Sequence, residues 1–123
     1  MSTDPIDIVT EFCAAWSTVD LDKILEFFTD DAVYHNIPIA PVTGKDAIRT
    51  TIEGFVGGVE KIEFEVLAIA ANGNTVLTER VDRFFGEKTI ALPVMGTFEI
   101  VDGKIAAWRD YFDLNQFMSQ LAG

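Results

Sequence analysis

Glu60-Lys61-Ile62-Glu63-Phe64-Glu65-Val66-Leu67-Ala68 is the stretch that decides how this chain is read. Ile62, Phe64, Val66 and Ala68 alternate with Lys61, Glu63 and Glu65. Successive strand side chains point to opposite faces, so a period of two marks a strand with one apolar and one wet face. The same period continues almost to the end of the chain. Asn72-Gly73 and Asp102-Gly103 are hairpin turn signals. Strands are therefore expected over 75–85, about 89–100 and 104–112, with Pro93 and Gly96 implying a bulge or bend in the middle one.

Upstream the period is helical. Asp4-Pro5 supplies an N-cap acceptor and a proline at the first helical position, and Val9, Phe12, Cys13 and Trp16 follow at helical spacing. Asp20 can cap a short second helix with Leu21, Ile24, Leu25 and Phe28 on one face. A strand over 32–36 ends in the Pro38 and Pro41 region. Thr43-Gly44-Lys45-Asp46 resembles a capping box for a third helix reaching about Phe55, with Ala47, Ile48, Ile52 and Phe55 as its buried stripe. Gly57-Gly58 ends it. Leu114, Asn115, Phe117, Met118 and Leu121 suggest a short terminal helix, with Asp113 in the capping position. Helices followed by an antiparallel meander indicate an α+β domain, and a strongly bent sheet wrapped around the helices would leave a conical pocket.

The 123 residues fit one domain, 1–123, with no internal repeat or linker. Nine basic against twenty acidic residues leave a net charge of −11, which repels phosphate backbones and anionic membranes, so no nucleic-acid or membrane partner is expected. The start, Met1-Ser2-Thr3-Asp4-Pro5, is not basic, and no apolar run approaches membrane-spanning length. The single Cys13 cannot form an intrachain disulfide. A soluble cytoplasmic protein is the simplest expectation.

Two acids sit where strands should bury carbon. Asp82 shares a strand face with Val76, Thr78, Arg80 and Phe84; Asp110 shares one with Ala106, Trp108 and Phe112. An acid on an apolar face is costly unless it is paired or its pKa moves. Arg80 and Asp82 are either an ion pair at the sheet edge or half of an acid/base site. Asp110 either bonds the following turn or serves chemistry. Tyr34 and Asn36 share one strand face and His35 takes the other, so a phenol and an amide could hold a water or simply close the strand. One histidine cannot build a histidine-based metal cluster. No serine lies in a Gly-x-Ser-x-Gly motif, no glycine-rich phosphate loop opens a helix, and Cys13 lies on an apolar stripe. No metal or cofactor is expected.

Tyr34-His35-Asn36-Ile37-Pro38, Glu79-Arg80-Val81-Asp82 and Gly103-Lys104-Ile105 with Trp108-Arg109-Asp110-Tyr111-Phe112-Asp113 together resemble the limonene-1,2-epoxide hydrolase family. The resemblance runs in order over nearly the whole chain. It implies the cystatin-like fold shared with nuclear transport factor 2: a strongly curved mixed β-sheet around N-terminal helices, with a cone-shaped pocket. It implies an Asp-Arg-Asp triad at Asp110, Arg80 and Asp82, with a water held by Tyr34 and Asn36. The implied reaction is one-step hydrolysis of a small apolar epoxide to a vicinal diol, with Asp110 as base, Asp82 as acid and no covalent intermediate. Phe84, Leu92, Val94, Trp108 and Phe112 would line the pocket, and the protein would be a homodimer. Two departures bear on pocket depth: a short segment before the first helix and a tight turn at Phe85-Gly86-Glu87-Lys88. An isomerase or dehydratase of the same fold is an alternative, although Asn36 stands where ketosteroid isomerases carry an acid. A non-catalytic small-molecule-binding domain is another.

Overall fold

Two α-helices precede the first strand in the computed structural model, which describes residues 4–122. The non-basic start read from Met1, Ser2 and Thr3 lies outside the described residues. Helix α1 (Pro5–Ala15) begins where Asp4 accepts from the amides of Ile6 and Asp7. Its inward stripe of Ile8, Val9, Phe12 and Cys13 is buried. A 3₁₀ turn (Trp16–Thr18) leads to α2 (Leu21–Leu25), capped by Asp20 through the Lys23 amide. Strand β1 (Phe28–Asn36) follows, then the two-residue β2 (Val42–Thr43) and helix α3 (Lys45–Val56). The long strands are β3 (Val59–Asn72), β4 (Thr75–Gly86), β5 (Thr89–Val101) and β6 (Lys104–Tyr111). Helix α4 (Leu114–Ala122) ends the described chain.

The strands form one curved sheet in the order β2-β1-β6-β5-β4-β3. Strands β3 to β6 pair as an antiparallel meander, and β1 joins β6 in parallel, so the sheet is mixed. The expected α+β architecture is present. At the β3–β4 and β5–β6 hairpin tips the backbone takes positive φ, at Gly73 and at the Asp102-Gly103 pair, as tight two-residue turns require.

Several local expectations fail for identifiable reasons. Phe28 opens β1 instead of extending α2, because the Ile105 amide binds the Phe27 carbonyl and draws that segment onto β6. The capping box does not form. Thr43 is paired with Val33 in the sheet, which leaves Gly44 as the N-cap with no side-chain bond. Ala68 does not continue the buried alternation of β3. A register shift between Val66 and Ala68 inserts a residue, so Ala68 is exposed and Ile69 packs on the core. The bulge expected in β5 is absent from its β4 pairing, which runs unbroken from Thr75–Glu99 to Phe85–Thr89. Pro93 lies beyond the end of the β5–β6 ladder, on the same strand edge as Ala91, where a missing amide hydrogen costs no ladder bond.

The core lies between α1 and the concave sheet face and is built around aromatic rings. Phe12 makes edge contacts with Trp16, Phe27, Phe28, Phe98 and Trp108. Trp108 stacks against Tyr34 at 4.3 Å and against Phe98 at 5.6 Å. Such pairs add about 0.5–1.5 kcal/mol each beyond burial. They also fix the Trp108 ring, and that orientation carries into the site.

Candidate active site

A single row of cross-strand partners runs over the sheet: Thr78 opposite Gly96, Gly96 opposite Asp110, and Asp110 beside Asn36. Arg80 lies one step along β4 on the same inward face and is 1% exposed. Its guanidinium spans the row. Nε and Nη2 donate to the two oxygens of Asp82 at 3.0 and 2.9 Å, and Nη2 also donates to Asp110 Oδ2 at 2.9 Å. Nη1 donates to Thr78 Oγ1 at 3.1 Å. Asp110 Oδ1 accepts from Trp108 Nε1 at 2.6 Å. Rings surround the cation, with Phe64 at 5.1 Å and Phe98 and Trp108 at 5.9 Å from it. The three groups expected to form a triad are therefore in direct contact.

Gly96 makes this reach possible. A Cβ there would lie 2.3 Å from Arg80 Nη1 and 2.7 Å from Asp110 Oδ1. Arg80 crosses β5 to reach β6 only because β5 has no side chain at that point. In the sequence this glycine reads as a bend, since nothing in β5 indicates that a neighbouring side chain occupies its place. Thr78 is likewise missed; its hydroxyl fills an alternating strand position and only the fold gives it Arg80 as a partner.

Tyr34 and Asn36 lie beside the carboxylates. Tyr34 Oη donates to Asn36 Oδ1 at 3.2 Å. That leaves the Asn36 amide N–H groups and the Tyr34 oxygen lone pairs for another molecule. His35 faces elsewhere, with Nε2 2.9 Å from the Ile39 carbonyl oxygen.

The electrostatics follow from burial. Desolvation pushes Asp82 up to about 6; the Asp110 charge adds to this and Arg80 opposes it. Desolvation also raises Asp110, against the pull of Arg80 and the Trp108 donor. Burial alone would lower Arg80, but the two carboxylates outweigh it and hold the guanidinium charged. Burial and the nearby Asp110 charge keep the Tyr34 hydroxyl protonated. Two acids around one cation carry a net negative charge when both ionise; one proton shared between them makes the trio neutral. Such a couple titrates as a unit. Burial pushes Cys13 up to about 12, which keeps it a thiol.

A cavity of about 40 Å³ opens onto Tyr34, Asn36, Asp82 and Asp110. Phe84, Leu92, Val94 and Phe112 line it as expected, together with Trp16, Phe55, Phe64 and Phe117. Trp108 does not line it: the ring sits behind, stacked between Tyr34 and Phe98, and meets the site only through its N–H on Asp110. A second cavity of about 440 Å³ contains neither aspartate. Among the described residues, no cluster of three or more metal-ligating side chains occurs.

A curved α+β sheet whose pocket holds two buried carboxylates on one arginine defines an enzyme class equipped for proton transfer in an apolar chamber. Residues 3–123 match the family described as limonene-1,2-epoxide hydrolase catalytic domain, and the chain belongs to that family. The epoxide hydrolase EphG of Mycobacterium tuberculosis is 35% identical over 117 residues, covering 94% of this chain and 78% of that protein. The solved structure of an M. tuberculosis LEH-like epoxide hydrolase is 34% identical with a TM-score of 0.84, covering 99% of this chain and 92% of that one. The epoxide hydrolase/cyclase-like enzyme SalBIII, 19% identical with a TM-score of 0.83 and coverage of 94% and 97%, shares the fold.

Proposed function

We propose that this protein adds water to an apolar epoxide in one step, giving a vicinal diol without a covalent intermediate. The observation that carries the reading is the contact of Asp82 and Asp110 with one guanidinium, beside the Tyr34–Asn36 pair. A water at Asp110 accepts from the Asn36 amide, donates to the Tyr34 oxygen and gives its other proton to Asp110. Its free lone pair attacks an epoxide carbon. As the new C–O bond forms, the ring C–O bond breaks and Asp82 protonates the departing oxygen. The couple holds one proton before and after; it has moved from Asp82 to Asp110, and its return resets the site. General acid and general base steps each supply about 10²–10⁴-fold. The apolar wall keeps bulk water out, so the charges act at full strength.

Turnover of cyclohexene oxide or limonene oxide to diol is the direct test. No diol from a broad epoxide panel would sink the proposal. Asp82→Asn and Asp110→Asn should each abolish turnover while the far-ultraviolet spectrum stays unchanged. A single turnover in heavy-oxygen water should place the label in the diol at once; label delayed by carboxylate exchange would mean a covalent route.

The proposal includes a homodimer formed through the outer sheet face. Met95 and Tyr111 are cross-strand partners there, with Leu77 one row away, and all three are about half exposed. Light scattering should give twice the chain mass of 13.6 kDa. A monomer at micromolar concentration would contradict this part.

A further inference from the structure

We propose, resting on the reading above, that the Trp16 indole N–H is a substrate-binding donor, and that the preferred substrate is an apolar epoxide bearing one further acceptor oxygen, an ether or a carbonyl, on its skeleton. Among the described residues, Trp16 Nε1 is the one buried side-chain nitrogen or oxygen without a hydrogen-bond partner. The residue is 1% exposed, so bulk water does not serve it. A buried indole N–H ordinarily finds an acceptor, because an unpaired one has given up its hydration for nothing. The neighbouring side chains offer none. Phe64 stacks on the ring at 4.7 Å, and Phe12 and Trp108 meet it edge to face at 6.1 and 5.8 Å. The other thing Trp16 touches is the cavity that it lines together with Tyr34, Asn36, Asp82 and Asp110. The acceptor that completes this donor is therefore a molecule bound in that cavity.

The reaction itself leaves this donor unused. The attacking water has Asn36, Tyr34 and Asp110, and the epoxide oxygen has Asp82. Trp16 also stands apart from the seat of the water: its ring stacks on Phe64 of β3, at the opposite end of the main sheet from the Tyr34–Asn36 pair on β1. Phe64 is the cross-strand partner of Asp82, so the indole lies on the acid's side of the pocket. The two tryptophans thus divide their work. Trp108 gives its N–H to Asp110, while that of Trp16 remains for the substrate. An indole N–H only donates, so its partner must be an acceptor. Among the other residues that line the cavity, Phe55, Phe64, Phe84, Leu92, Val94, Phe112 and Phe117 are apolar and suit a hydrocarbon skeleton. A substrate without the third oxygen leaves the donor unpaired, and a pocket built around a hydrogen bond discriminates against the analogue that lacks it.

The test compares matched epoxides in wild type and Trp16→Phe, which keeps a ring on Phe64 and removes the N–H. One pair is 4-acetyl- and 4-isopropenyl-1,2-epoxycyclohexane, which exchange C=O for C=CH₂ far from the reacting carbons. The other is 3,4-epoxytetrahydropyran and cyclohexene oxide, which places the acceptor in the ring. Comparing the two proteins cancels the substrates' intrinsic reactivities. In at least one pair, the ratio of kcat/KM for the oxygenated epoxide to that for its hydrocarbon partner should fall at least about fivefold in Trp16→Phe, the loss of one neutral hydrogen bond. Unchanged ratios in both pairs overturn the inference and leave epoxide hydrolysis standing; this includes equal losses for both members, which would put the N–H on the epoxide oxygen. A second measurement needs no change at position 16. The two tryptophans of the ¹⁵N-labelled chain give two indole N–H signals, and Trp108→Phe identifies the one from Trp16. The acetyl or tetrahydropyran diol should move that proton downfield further than its hydrocarbon partner does; equal shifts within both pairs overturn the inference. Failure of every epoxide overturns the hydrolase reading and this inference with it.

Discussion

Replacing Gly96 with alanine asks whether the empty place on β5 is what joins the two acids. Gly96 has no positive φ, so backbone strain is not the issue. The new methyl would sit 2.3 Å from Arg80 Nη1, 2.7 Å from Asp110 Oδ1 and 3.0 Å from Thr78 Oγ1. Ordinary van der Waals contact begins near 3.4 Å, so the guanidinium must retreat by about 1 Å. Its Nη2 bonds to Asp82 and Asp110 are both 2.9 Å, and a shift of that size breaks at least one. Overpacking costs roughly 1–3 kcal/mol of stability. A reacting group misplaced by about 1 Å can cost about 10²-fold in rate, or ~2.7 kcal/mol. Gly96→Ala should therefore lower kcat/KM for cyclohexene oxide at least about a hundredfold while remaining folded, with a reduced melting temperature. Thr97→Ala, on the neighbouring outward-facing position, should change the rate less than about twofold. Diol formation followed by gas chromatography, alongside a circular-dichroism melt, reads both quantities. A Gly96→Ala protein with wild-type rate and wild-type melting would refute the idea that Arg80 needs this gap.

Three further outcomes follow from the same geometry. The active couple holds one proton, so kcat/KM should fall as pH rises through about 6, where Asp82 loses it, and fall again in stronger acid as Asp110 protonates; a flat profile from pH 5 to 8 would contradict this. The folded-state pKa of Asp82 lies above its ordinary 3.8, so the native state binds that proton more tightly than the unfolded chain. Its stabilising contribution is complete below about 3.8 and lost as pH rises through about 6, so calorimetry should show wild type gaining more melting temperature than Asp82→Asn between pH 7.5 and 5. Trp108→Phe keeps a ring between Tyr34 and Phe98 but removes the 2.6 Å donor to Asp110; the rate should drop about tenfold and the acid limb should move to higher pH, because that donor favours the ionised carboxylate.

Strand alternation was enough to set Arg80, Asp82 and Thr78 on one face of β4, and Trp108 with Asp110 on one face of β6. It was also enough to separate Tyr34 and Asn36 from His35. Periodicity of this kind is local, since each side chain's direction follows from its neighbours along the chain. Helix starts at Asp4 and Asp20 were legible for the same reason. The resemblance to a known family connected these faces into one site, which periodicity alone could not do. Local rules failed where a distant segment intervened: β6 claimed the Phe27 carbonyl, β1 claimed Thr43, and a bulge against β4 turned Ala68 outward. Trp108 read as pocket wall because an apolar ring on an inward face has no local mark to separate lining from support.

The amino-acid sequence by itself determined the α+β class, the inward facing of the buried charged residues, and a charge balance hostile to nucleic acid. Only the tertiary structure decided that Arg80 reaches across β5 to Asp110, because that reach depends on an atom that Gly96 lacks. Only the tertiary structure showed that the acid-lined cavity shares Phe55, Phe84 and Phe117 as walls with a larger cavity beside it. Both are properties of space enclosed between distant segments. No residue carries such a property alone, and packing creates it when β4, β5, β6 and α4 come together.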